Sequence, residues 1–69
     1  MLKFLQDTVC RVEGDHVARF YKGSYLITDD YTMSVDPSTD EEVFLVNYNG
    51  KTLYVPVDAV EETLDEIIA

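Results

Sequence analysis

The dipeptide Asn49-Gly50 constrains this chain more than any other feature. It separates two runs rich in β-branched and aromatic residues, 43–48 (VFLVNY) and 51–57 (KTLYVPV). A two-residue type I′ turn needs positive φ at both central positions, and Asn followed by Gly meets that need with least strain. The turn sets the register of the hairpin. Tyr48 faces Lys51, Val46 faces Leu53 and Phe44 faces Val55 on one side. Asn47 faces Thr52 and Leu45 faces Tyr54 on the other. The first side is more apolar and is expected to face the core, because a one-residue slip would turn all of it to solvent. Leu45 and Tyr54 then either cover another sheet or form an exposed contact patch.

The rest of the chain carries mostly strand signals. Residues 8–13 (TVCRVE) alternate, with Cys10 and Val12 on one face. Gly14-Asp15 marks a turn, 17–22 (VARFYK) continue as a strand, and Gly23 permits a sharp change of direction. Residues 24–28 (SYLIT) are β-branched and aromatic, and Asp29-Asp30 reads as a turn or bulge. Residues 31–35 (YTMSV) alternate with Met33 and Val35 together, and 36–41 are a polar loop.

Residues 58–68 read differently. Val60, Leu64, Ile67 and Ile68 fall on a helical arc of about 100°. Asp58 suits an N-cap, with Glu61 as its reciprocal partner three residues on. Glu61, Glu62, Asp65 and Glu66 fill the adjacent arc. The expected fold is therefore mainly β: a small barrel of about five strands over 8–57, closed by a short acidic C-terminal helix over 58–68.

Sixty-nine residues make a single domain. A chain of that size buries only about 60 % of the surface it exposes when unfolded, so little room remains for an enclosed active site. No apolar run approaches the ~20 residues that span a bilayer. The opening MLKFLQD is too short and too soon acidic for a signal peptide, so a soluble, cytoplasmic protein is expected. Cys10 is the only cysteine, which excludes an internal disulfide or a cysteine metal cluster.

The net charge of -9 is unevenly placed. Residues 1–28 hold three acids and four bases, a net of +1. Residues 29–69 hold eleven acids and Lys51 alone, a net of -10. Such a field repels nucleic acid and membrane surfaces and attracts basic protein surfaces. On a helix, Glu61 with Asp65 and Glu62 with Glu66 would repel by roughly 0.2–0.5 kcal/mol per pair. The acids Asp29, Asp30, Asp36, Asp40, Glu41 and Glu42 are expected on the connections between strands, with no base among them. This charge serves either solubility or a basic partner. The candidate partner-binding residues are those six, Tyr54, Asp58, and the helix acids Glu61, Glu62, Asp65 and Glu66. Rows of carboxylates can imitate a phosphate backbone. Five tyrosines and no tryptophan also suit a contact surface with polar tips.

Catalysis has little support. His16 stands alone beside a turn, no serine or cysteine sits in a nucleophile motif, and the three glycines are isolated. Residues 36–42 lack the glycine and ligand spacing of an EF-hand loop. No enzyme activity, cofactor or metal is expected.

Two stretches resemble an SH3-type small barrel. Residues 19–26 (RFYKGSYL) are similar to the segment where such domains carry an apolar residue, Lys-Gly, a polar residue and a new strand. Residues 53–62 (LYVPVDAVEE) resemble their ending, a strand into Val-Pro, one helical turn, then Val-Glu. The resemblance covers residues 8–62 and implies architecture. It does not imply proline-rich ligands: Ala59 stands where the eukaryotic peptide groove has Tyr, there is no Trp, and residues 8–13 lack the aromatic pair. By analogy of size and charge, the chain is also similar to phage-encoded inhibitors, including uracil-DNA glycosylase inhibitors and anti-CRISPR proteins. Residues 38–43 (STDEEV) are similar to a short acidic stretch in one glycosylase inhibitor.

The functional expectation is a non-enzymatic binding protein, a phage or mobile-element inhibitor whose negative face occupies a basic, nucleic-acid-binding surface of a host protein. The alternative is a structural or assembly module that self-associates through Leu45, Tyr54, Tyr25 or the stripe of Val60, Leu64, Ile67 and Ile68.

Overall fold

The structure, a computed structural model, describes residues 1–63. They form eight strands: β1 (Leu2–Phe4), β2 (Thr8–Val12), β3 (His16–Phe20), β4 (Tyr25–Leu26), β5 (Tyr31–Val35), β6 (Glu42–Tyr48), β7 (Lys51–Pro56) and β8 (Val60–Glu62). A 3-10 turn at Val57–Ala59 joins β7 to β8. The protein is mainly β, with two antiparallel sheets of order β4-β1-β8 and β3-β2-β7-β6-β5. The two ladders stay separate and do not close into one barrel. In place of a five-stranded barrel, the described residues form two open sheets packed on a shared core.

The central hairpin forms in the register that its turn dictates. Phe44 pairs with Val55, Val46 with Leu53, Tyr48 with Lys51, and Leu45 with Tyr54. Asn49 and Gly50 both have positive φ, 52° and 80°. Phe44, Val46, Leu53 and Val55 are buried, so the more apolar side does face the core. Cys10 and Val12 join them from β2, as their alternation predicts. Burial pushes the Cys10 thiol up to about 11, which keeps it neutral.

The N-terminal residues carry no strand signal long enough to read, yet they hold the core together. Leu2 and Phe4 have no exposed surface. Phe4 stacks on Phe20 with ring centroids 4.6 Å apart, linking the small sheet to the large one. Burying an aromatic ring of this kind stabilises by roughly 1.5–3 kcal/mol.

The predicted helix over 58–68 is the main correction. Among the described residues there is no α-helix. Asp58 sits within the 3-10 turn, whose first turn receives no side-chain capping bond. Val60 has extended φ and ψ of -136° and 164° and is buried. The cause lies in β1. Its second edge would be a row of unpaired backbone groups, and β8 satisfies it: Phe4 pairs with Val60, Lys3 with Glu61 and Leu2 with Glu62. The Thr63 N–H donates to the Met1 carbonyl at 2.9 Å, and the Met1 amine donates to the Thr63 carbonyl at 3.2 Å. Lys3 opposite Glu61 adds an opposite-charge cross-strand pair. A strand also turns Glu61 and Glu62 to opposite faces, where a helix would stack acids at like-charge spacing. Leu64, Asp65, Glu66, Ile67 and Ile68 lie outside the described residues.

Candidate functional site

Of the predicted acids, Asp65 and Glu66 lie outside the described residues. The others divide between the two ends of β5. Tyr31 and Val35 stand four residues apart, about 13 Å along an extended strand. The residues before β5 meet the end of β8, and those after it form the loop of the β5–β6 hairpin.

The first group holds Asp29, Asp30 and Glu62. The Asp29 carboxylate lies 3.7 Å from the Met1 amine and its side chain is 88 % exposed. Asp30 accepts from the Asn47 side-chain amide at 3.0 Å, and its carbonyl accepts from the Asn47 N–H at 3.2 Å. The Tyr31 hydroxyl donates to Glu62 at 3.1 Å. Desolvation, and then the Glu62 carboxylate, raise the Tyr31 phenol above its ordinary value. Glu61 lies beside Lys3 one residue further back along β8, and Asp58 is exposed on the 3-10 turn that precedes it.

The second group is the loop at residues 36–42. Asp36 organises it. The Asp36 N–H donates to the Glu41 carbonyl at 2.8 Å, and the Asp40 N–H donates to the Asp36 carbonyl at 2.7 Å. Asp40 turns the chain with a positive φ of 61°. One Asp36 carboxylate oxygen accepts from the Ser38 N–H at 2.9 Å. The other accepts from the Arg11 guanidinium at 2.7 Å. The Ser38 backbone bond and the bonded guanidinium hold this carboxyl below the usual aspartate range, although burial acts against them. Asp36 is buried, so its charge is occupied within the fold. Asp40, Glu41 and Glu42 are exposed around it.

Arg11 completes this end. It stands on β2 opposite Tyr54 of β7, and its guanidinium lies 4.6 Å from the centre of the Tyr54 ring. Val9, Val43, Tyr54 and Pro56 floor a shallow recess of about 190 Å³, walled by Arg11, Asp36 and Glu41. Tyr54 and Leu45 are half-buried, and the guanidinium lies over the Tyr54 ring. Arg11 is the residue that sequence reasoning missed. It occupies the outward position of an alternating strand, and its partner lies 25 residues away, beyond any local pattern.

Among the described residues no group of three or more His, Cys, Asp or Glu side chains is placed to hold a metal ion. No helix among the described residues is long and apolar enough to cross a membrane. No protein family, curated protein or solved structure matches this chain.

Proposed function

We propose that this protein is a small acidic binding module of SH3-like architecture that docks on a basic surface of a protein partner. In the favoured form of this reading it is a phage or mobile-element inhibitor, and the surface it covers is one that otherwise binds nucleic acid. One observation carries the proposal. Of the nine acids described from Asp29 onward, only Asp36 is buried, and the other eight are exposed with Lys51 as the sole base in that part of the chain. A single turn between Pro56 and Val60, followed by a strand, supports the SH3-like architecture. The recess beside Tyr54 lacks the aromatic wall of a proline-binding groove and carries Arg11, Asp36 and Glu41 instead. That supports recognition by charge.

The test is a tagged pull-down from bacterial lysate, washed at low salt and then at about 1 M, where the Debye length falls to about 3 Å. Two variants accompany it. One neutralises Asp29, Asp30, Glu61 and Glu62 to Asn or Gln; the other neutralises Asp40, Glu41 and Glu42. The expected result is retention of nucleic-acid enzymes that salt releases and that at least one variant no longer holds. Retention indifferent to salt and to both variants overturns the reading.

A self-associating module is the second reading. Exposed Val17, Ile27, Met33 and Val35 favour it. Val60, the described member of the predicted apolar stripe, is buried within its own chain and supplies no contact. Light scattering separates the two readings, because a strict monomer at high concentration removes the second.

A further inference from the structure

Four strands form the edges of the two sheets: β3, β4, β5 and β8. Natural edges are blunted by charge, proline or brevity. β4 has two residues and β8 has three, two of them glutamates. β3 carries His16 and Arg19. β5 (YTMSV) has five residues with neither charge nor proline.

The ladder shows which backbone groups of β5 point away. The Asn47 N–H donates to the Asp30 carbonyl at 3.2 Å, and the Asp36 N–H donates to the Glu41 carbonyl at 2.8 Å. Both pairs fall in the register that joins Tyr31 to Val46 and Val35 to Glu42. Bonded and non-bonded pairs alternate along an antiparallel ladder. Thr32 and Ser34 therefore bond β6, while Tyr31, Met33 and Val35 turn N–H and C=O outward. Among the described residues no strand pairs with that edge. Met33 and Val35 are 55 % and 51 % exposed on one face of it.

The surrounding charge selects the occupant. Asp29 and Asp30 stand before β5, and Asp40, Glu41 and Glu42 after it. A second copy pairing antiparallel on β5 would bring Asp29 and Asp30 of each chain toward the acidic loop of the other, so like charges oppose it. We propose that β5 takes up an extended segment of a partner protein as a sixth strand. That segment is apolar at alternate positions, to meet Tyr31, Met33 and Val35, and carries Lys or Arg at both ends. Main-chain bonds to the three outward residues give affinity, and the flanking carboxylates give register and preference. This inference rests on the basic-partner reading above and names the form the partner takes.

The probe is a synthetic peptide of alternating Val and Thr with two lysines at each end, compared with the same core flanked by glutamates. Amide exchange is followed by NMR on the full chain. The lysine peptide is expected to bind about tenfold tighter at low salt and to slow exchange at Tyr31, Met33 and Val35. Thr32 and Ser34, already bonded to β6, stay unchanged. Met33→Pro removes an outward donor and leaves the β6 ladder intact; Met33→Lys places a repelling charge on the edge. Each should weaken the lysine peptide about tenfold. If that peptide is preferred without protecting the three amides, or binds both variants unchanged, the edge inference falls and the charge reading stands. Equal binding of both peptides overturns the charge reading and the choice of occupant with it. Protection of the three amides in the free protein overturns the inference too: at all concentrations the chain itself covers the edge, and only at high concentration a second copy does.

Discussion

The two ends of β5 carry similar numbers of acids, but only the end after β5 turns one of them inward. After β5, Asp36 turns inward, takes Arg11 from β2 and a backbone N–H from Ser38, and holds the hairpin loop in shape. Before β5, Asp29 is almost wholly exposed, and Asp30 and Glu62 accept single bonds at the surface. A count of carboxylates treats the two ends alike. Their contacts separate an acid buried within the fold from acids that stay exposed at the surface.

The comparison can be broken first by removing what holds Glu62 in place. Phe4→Ala empties a fully buried site between the two sheets and should cost about 3–5 kcal/mol. In a domain of this size that leaves little or no folded protein, read by thermal melting monitored with circular dichroism. A melt close to wild type would mean that β1 does not bind the sheets together.

Next, Asp36→Asn should lower the melting temperature by several degrees, while Asp29→Asn leaves it unchanged or slightly higher. Equal effects would erase the distinction between the two ends.

The same contrast has a pH signature. The folded-state pKa of Asp36 lies below its ordinary value near 3.8. Its contribution is therefore fully present above that value and is lost as pH falls through the folded-state pKa. The stability gap between wild type and Asp36→Asn should be constant near neutral pH and close in acid. A gap that widened on acidification would reverse the assignment.

The smallest effect is expected at the other end. Tyr31→Phe removes the bond to Glu62 and should cost within about 0.5–1 kcal/mol, measured by urea denaturation. A loss as large as that of Phe4→Ala would show the Tyr31–Glu62 pair to be structural.

Local sequence was a good guide where one short-range rule dominated. Asn49-Gly50 determined a turn, the turn determined a register, and the register placed Phe44, Val46, Leu53 and Val55 inside. Alternation likewise placed Cys10 and Val12. It failed at both ends of the described chain for one shared reason. Leu2–Phe4 is too short to show a period, and Val60–Glu62 falls within a longer stretch, 58–68, whose apolar spacing is helical. The two are strands because each satisfies the backbone of the other across nearly the whole chain. The candidate site divides in the same way. Its acids were legible as composition, whereas the Arg11–Asp36 pair was not, because no local pattern links residues 25 apart.

Local sequence thus specifies a mainly β chain, with one hairpin in a definite register and a strongly negative second part. Those properties follow from residue chemistry and from neighbours a few positions apart. Tertiary packing decided that residues 60–62 are a strand, that the sheets stay open, and that Asp36 is internal while Asp29 stays exposed beside the Met1 amine. It also left β5 with three residues turned outward. Each of these depends on which distant backbone or side-chain group arrives to satisfy a hydrogen bond, and that is settled only when the whole chain has packed.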